Sequence, residues 1–190
     1  MKNNMKISNR FSMDHTSQIR LEGRPDVLAR FIQDIQLKDK KIWELFVKQF
    51  REHPDDEEKS WKGEYWGKLM RGGCITWQYT HDSELYDILE WTVRDMLKAQ
   101  DTEGRISTYS KSAEFQGWDI WCRKYVLLGF LHFAEICRDA SLREKILSAA
   151  CRHLDYIIAH IGEGKIDITS TSDLWGGINS SSILEPVVRM

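Results

Sequence analysis

Proline is scarce in this chain, with three in 190 residues, and so few breakers favour long helices. A dominant charge is missing too. The net charge is −2, which removes the electrostatic case for a nucleic-acid partner. No nucleophile triad, phosphate loop or zinc-ligand spacing can be found, so the residues alone name no catalytic constellation. The four cysteines, Cys74, Cys122, Cys137 and Cys151, fall inside apolar helical patterns and read as buried free thiols. The first ten residues, MKNNMKISNR, hold no apolar h-region, so no secretory signal is expected. Together these readings point to a reducing, cytoplasmic compartment.

Apolar helical patterning is what the chain has in quantity. Residues 1–24 are polar and aperiodic, and we expect a disordered or loosely attached arm there. Residues 25–190 read as one folded domain. Val27, Leu28, Phe31, Ile35, Ile42, Leu45, Phe46 and Phe50 have helical spacing, in two pieces broken near Lys38–Lys41. Residues 53–60 (HPDDEEKS) are expected to form a solvated charged loop. A helix follows in residues 61–82, where Gly72 and Gly73 suggest close helix-to-helix approach. Residues 83–100 are amphipathic, with Leu85, Ile88, Leu89, Thr92, Val93, Met96 and Leu97 on one stripe.

Residues 118–137 (WDIWCRKYVLLGFLHFAEIC) are apolar nearly all round, which marks a buried inner helix. The length, about 20 residues, could span a membrane. Asp119, Arg123, Lys124, His132 and Glu135 argue against that. Leu142, Ile146, Ala149, Ala150, Leu154, Ile157 and Ile158 then form another amphipathic stripe, with Ser141 and Glu144 placed for a capping box. The segment SSSILEPVVRM opens one more helix.

These units repeat. Asp82 and Asp139 stand 57 positions apart (139 − 82), and the same offset relates Leu85 to Leu142, Leu89 to Ile146, Val93 to Ala150, Leu97 to Leu154 and Gly72 to Gly129. A buried helix followed by an amphipathic one, repeated, implies an inner and an outer layer, in a solenoid or a closed toroid. Six such hairpins need roughly 340 residues. The chain holds about half of that, so we expect a fragment of a larger toroid, with an exposed apolar inner face and self-association.

Five of the eight tryptophans share one phase of the repeat: Trp61, Trp66, Trp118, Trp121 and Trp175. They are expected to ring one end of the inner layer, together with the carboxylates Glu64 and Asp119, and Glu185 slightly deeper. Indole faces stack on the C–H faces of sugars, and carboxylates accept from sugar hydroxyls, so this end is a candidate carbohydrate site. Each residue also has a plainer reading. A tryptophan at a helix start more often packs in a core, Asp119 can serve as an N-cap, and Glu64 can pair with Lys62 or Lys68. His132 reads as a satisfied core histidine, and His81 and His153 as water-facing.

The segments WKGEYWGKLMRGG, THDSELYDILEWTVRDMLKAQDTEGRIST and WDIWCRKYVLLGFLHF, in this order and spacing, resemble the N-terminal half of the β-L-arabinofuranosidase-like glycoside hydrolases, family 127 and its relatives. The resemblance covers about Trp61 to Arg189. It implies an all-α (α/α)6 toroid, here incomplete, and hydrolysis of glycosidic bonds in plant- or glycan-derived oligosaccharides. It also implies a cysteine nucleophile beside a zinc held by cysteines and a glutamate. Those residues would fall beyond Met190, so the chain alone is expected to be inactive and to carry no cofactor. Substrate binding is expected from Trp61, Glu64, Trp66, Asp119, Trp121, Tyr125 and Trp175. Two departures stand out. The arabinofuranosidase branch carries Gly-His where this sequence has Lys124-Tyr125, and a sugar-contacting histidine where this sequence has Ser180–Ser182. Both point away from L-arabinose. A non-catalytic helical-repeat binding module, or a different toroid enzyme such as an epimerase or lyase, would share the same architecture.

Overall fold

The computed structural model describes residues 20–55, 60–171 and 177–190. Among them the regular structure is helical, and only two isolated bridges occur, Asp55 with Tyr109 and Ile161 with Ile166. In chain order the helices are α1 (Arg24–Ile32), α2 (Lys40–Glu52), α3 (Glu64–Thr80), α4 (Ser83–Leu97), α5 (Asp119–Ile136), α6 (Ala140–His160), α7 (Ile178–Ser181) and α8 (Leu184–Arg189). A wider π-helical turn, Gln33–Leu37, runs on from α1. The break expected near Lys38–Lys41 falls where Asp39 caps α2, its carboxylate accepting from the Lys41 N–H at 3.0 Å. The indole of Trp43 donates back to the Leu37 carbonyl at 2.8 Å and fixes the corner.

Helix α5 packs along α3, and α7 and α8 lie against α5 in turn, while α4 and α6 cover the outside. Equivalent positions of the two outer helices do equivalent work. Asp82 accepts from the Leu85 N–H at 2.8 Å and Asp139 from the Leu142 N–H at 3.1 Å, so each aspartate caps its helix. A base from the preceding unit clasps each cap: Lys38 reaches Asp82 at 2.8 Å, and Arg94 reaches Asp139 at 2.9 Å. The start of α6 is therefore held by Asp139, and the capping box expected from Ser141 and Glu144 is not what closes it.

The core lies between the layers. Trp66, Met70, Leu85, Leu89, Val93, Val126, Leu127, Phe130, Phe133, Ile146 and Ala150 are all fully buried there. Of the two glycines expected at a close helix contact Gly73 is at one, an added Cβ standing 2.6 Å from the Leu89 side chain of α4, and the inner helices approach each other at two further glycines. A Cβ on Gly67 would stand 1.9 Å from the Tyr125 carbonyl oxygen, and one on Gly129 would stand 2.6 Å from the Trp66 ring. Gly72 faces open space and Gly73 faces the Leu89 side chain.

The periphery differs from the expected pattern in several places. Val27, Leu28, Phe31 and Ile35 are exposed, so the apolar stripe of α1 is uncovered among the described residues. Ile178, Leu184 and Val188 are exposed as well, and Ile158 falls off the buried stripe of α6. Asp55 is no solvated loop residue. It is wholly buried and accepts from the Lys62 N–H and the Thr108 hydroxyl, both at 2.8 Å. Cys74 and Cys122 are buried, Cys137 half-buried and Cys151 exposed, all as free thiols. No helix among the described residues is long and apolar enough to cross a membrane.

Candidate functional site

On α5 nearly every residue is buried, and the positions left open are Trp121, Tyr125, His132 and Glu135. With 3.6 residues per turn they form one narrow stripe. The open stripe of α3, with Lys68, Arg71, Gly72, Ile75 and Gln78, lies beside it. The two stripes touch at the repeat offset. The Trp121 indole N–H donates to the Glu64 carboxylate, and the Lys68 ammonium sits 4.8 Å from the centre of the Tyr125 ring. A third inner element continues the row, where Arg189 of α8 reaches His132 at 3.2 Å and Glu135 at 2.9 Å.

At the N-terminal end of this surface the aromatic rings form a strip. Trp61 meets Trp118 at 6.1 Å between centres, Trp118 meets Trp121 at 5.6 Å, and Trp121 meets Tyr125 at 5.3 Å, each edge to face. Trp61 is 41% exposed, and Trp118, Trp121 and Tyr125 are half-buried. Glu64 stands beside the strip, paired with Lys68 at 2.7 Å. The Lys124 ammonium lies over the Trp121 ring at 3.6 Å and the Tyr125 ring at 4.2 Å. Burial pushes the Lys124 pKa below the ordinary lysine range, and burial raises the Tyr125 phenol.

The structure thus brings together four of the expected site residues, Trp61, Glu64, Trp121 and Tyr125. Two others point elsewhere. Trp66 is fully buried, stacked edge to face on Phe130 at 5.5 Å, with its N–H donating to Thr92 at 3.0 Å. Asp119 is also fully buried. It accepts from the Ser107 hydroxyl, from the Phe115 N–H at 2.8 Å and from Arg123 at 2.9 Å. It is therefore neither on the strip nor an N-cap of the usual kind, but part of a buried network with Arg123, Arg105, Glu114 and Tyr156. In that network burial pushes the Glu114 carboxyl up, while hydrogen bonds from Arg105 and Tyr156 and the charge of Arg123 outweigh it and hold the pKa low. The seventh, Trp175, lies outside the described residues.

Two of the three histidines considered differ from expectation, and His81 does not. His153 is fully buried, its Nδ1 accepting from the Ile106 N–H at 3.2 Å, which leaves the proton on Nε2. His132 sits on the open stripe, and burial followed by the nearby Arg189 lowers its pKa. His81 is exposed at the end of α3. The member of the strip missed at the level of sequence is Lys124. Its signal was a second cation beside Arg123 in an otherwise apolar run.

The described helices thus present on one side a strip of aromatic rings with carboxylate and ammonium groups. Residues 6–183 match the family described as Beta-L-arabinofuranosidase, GH127 catalytic domain, and the chain belongs to that family of glycoside hydrolase catalytic domains. No curated protein and no solved structure matched the chain. The zinc and cysteine chemistry implied by the resemblance does not fit the residues described. No group of three or more His, Cys, Asp or Glu side chains among them could hold a metal ion. Burial pushes the Cys74, Cys122 and Cys137 thiols up, away from the reactive thiolate.

Proposed function

We propose that this chain builds one wall of the carbohydrate-binding site of a glycoside hydrolase acting on plant- or glycan-derived oligosaccharides. The observation that carries the reading is the strip Trp61–Trp118–Trp121–Tyr125 with Glu64 hydrogen-bonded to its third ring. Indole edges and faces offer apolar walls to sugar C–H groups, and Glu64 offers an acceptor for a hydroxyl. The inner helices continue one another at intervals of 57 residues, which supports a ring of such hairpins, the (α/α)6 toroid, with the strip on its inner side. In this reading residues 1–190 by themselves release no sugar; burial that pushes the Cys74 and Cys122 thiols away from the nucleophilic thiolate supports it. Free thiols also support a cytoplasmic setting. Exposed apolar residues on α1, α7 and α8 support self-association, which sedimentation at two concentrations would test.

The site is tested by calorimetric titration of the chain with plant-derived oligosaccharides, compared with Trp121→Ala. Removing the central ring should weaken binding by about tenfold. Unchanged binding in Trp121→Ala, or release of sugar from an aryl glycoside by residues 1–190, would contradict the reading.

A further inference from the structure

Lys124 is the group that the carbohydrate reading does not yet use. It is only 5% exposed, on a helix whose neighbours are apolar. Taking an ammonium out of water is costly unless an anion compensates it. Among the described residues Lys124 makes no hydrogen bond and no ion pair; its contacts are the faces of Trp121 and Tyr125. No carboxylate among the described residues is in contact with it. Glu64 is engaged by Lys68 and by the Trp121 N–H. Glu185, on α8, is exposed and acts on Lys124 only at longer range. Lys68 and Arg71 lie on the same side and add positive charge. Three cations therefore face two carboxylates, beside an aromatic strip.

A neutral sugar needs aromatic walls and hydroxyl partners but no ammonium held over the rings. An isolated inorganic anion needs cations but no aromatic walls. Resting on the carbohydrate reading above, we propose that the strip binds an acidic sugar. The carboxylate of a uronosyl residue seats against the Lys124 ammonium while the sugar ring lies along the aromatic side chains. The ammonium has three N–H donors to offer, and charge-assisted bonds to a carboxylate are the strong kind. The two rings hold the cation in place before the ligand arrives, so little order is lost on binding.

The test is calorimetric titration of the 190-residue chain at low ionic strength. The probes are methyl uronides of the gluco, galacto and manno series, their neutral parent glycosides, and inorganic phosphate. At least one uronide should bind about tenfold more tightly than its neutral parent, and added salt should erode the difference. In Lys124→Met, which keeps the apolar stem, the preference for the uronide over its neutral parent should be lost. Lys124→Arg should retain the preference. Equal binding of acidic and neutral glycosides by the unaltered chain would overturn the inference and leave the carbohydrate reading standing. If no glycoside of either kind binds, both fall. Phosphate binding as tight as the uronide, and indifferent to Trp121→Ala, would mark a bare anion site and overturn the proposal. Should Lys124→Met fail to fold, as judged by circular dichroism, the comparison on the unaltered chain decides.

Discussion

Replacing glycine by alanine at two positions of the same helix should have opposite effects. At Gly67 an added Cβ would stand 1.9 Å from the Tyr125 carbonyl oxygen and 2.4 Å from its carbon, where ordinary contact begins near 3.4 Å. Backbone cannot rotate out of the way as a side chain can. Helices α3 and α5 must part by about 1.5 Å (3.4 − 1.9), and a close-packed interface resists such movement. Overpacking of this kind costs about 3 kcal/mol or more, which exceeds the ~1 kcal/mol that alanine contributes through helix propensity. Gly72, five residues on, faces open space. There only the propensity remains, and Gly72→Ala should stabilise by about 1 kcal/mol. Gly129→Ala falls between, since its Cβ would meet the Trp66 side chain at 2.6 Å. Thermal unfolding followed by far-ultraviolet circular dichroism reads all three, each kcal/mol amounting to a shift of roughly 2–4 °C in Tm for a chain of this length. The packing of α3 on α5 described above is refuted if Gly67→Ala lies within 1 kcal/mol of the unaltered chain, or if Gly72→Ala is the more damaging of the two.

Asp119→Ala should destabilise by about 3 kcal/mol, because it leaves the fully buried Arg123 short of one partner; urea midpoints should show the loss with no change at Glu64→Gln beyond about 1 kcal/mol. His153 is neutral in the fold, its pKa pushed well below the usual histidine range by burial and then by Arg123. The unfolded chain therefore binds a proton below about pH 6.5 that the folded chain refuses. Stability should be flat above that pH and fall with acidification, by at most about 1.4 kcal/mol per unit for this group. His153→Gln, which keeps an acceptor for the Ile106 N–H, should flatten that slope in urea titrations at pH 7.5 and 5.5. Of the thiols, Cys151 should react with an aromatic disulfide reagent in the folded protein, whereas Cys74 and Cys122 should become reactive only on unfolding.

The helices were legible because hydrophobic period carries them, and the period survives any detail of packing. Asp82 and Asp139 show how far this goes, since two aspartates 57 residues apart turn out to cap two equivalent helices. The glycine contacts were less legible. Gly67 and Gly72 look alike in sequence, and what separates them is which side of α3 meets α5.

The residues expected at the site lie on two faces, which helix geometry alone divides. Residues two apart on a helix point about 200° apart. Glu64 and Trp66 therefore cannot share a surface, nor can Asp119 and Trp121. Each face contains its own i, i+4 ion pair, Glu64 with Lys68 and Asp119 with Arg123, so charge pattern does not say which of them looks outward. The loop between α4 and α5 decides the matter for α5. It brings the Ser107 hydroxyl, the Glu114 carboxylate and the Phe115 N–H down on Asp119 and Arg123, and buries them. A loop of that length has no period to read. With that face covered, Trp121, Lys124 and Tyr125 are left on the other side, where Lys124 has no ion-pair partner among the described residues and becomes the most informative residue of the surface.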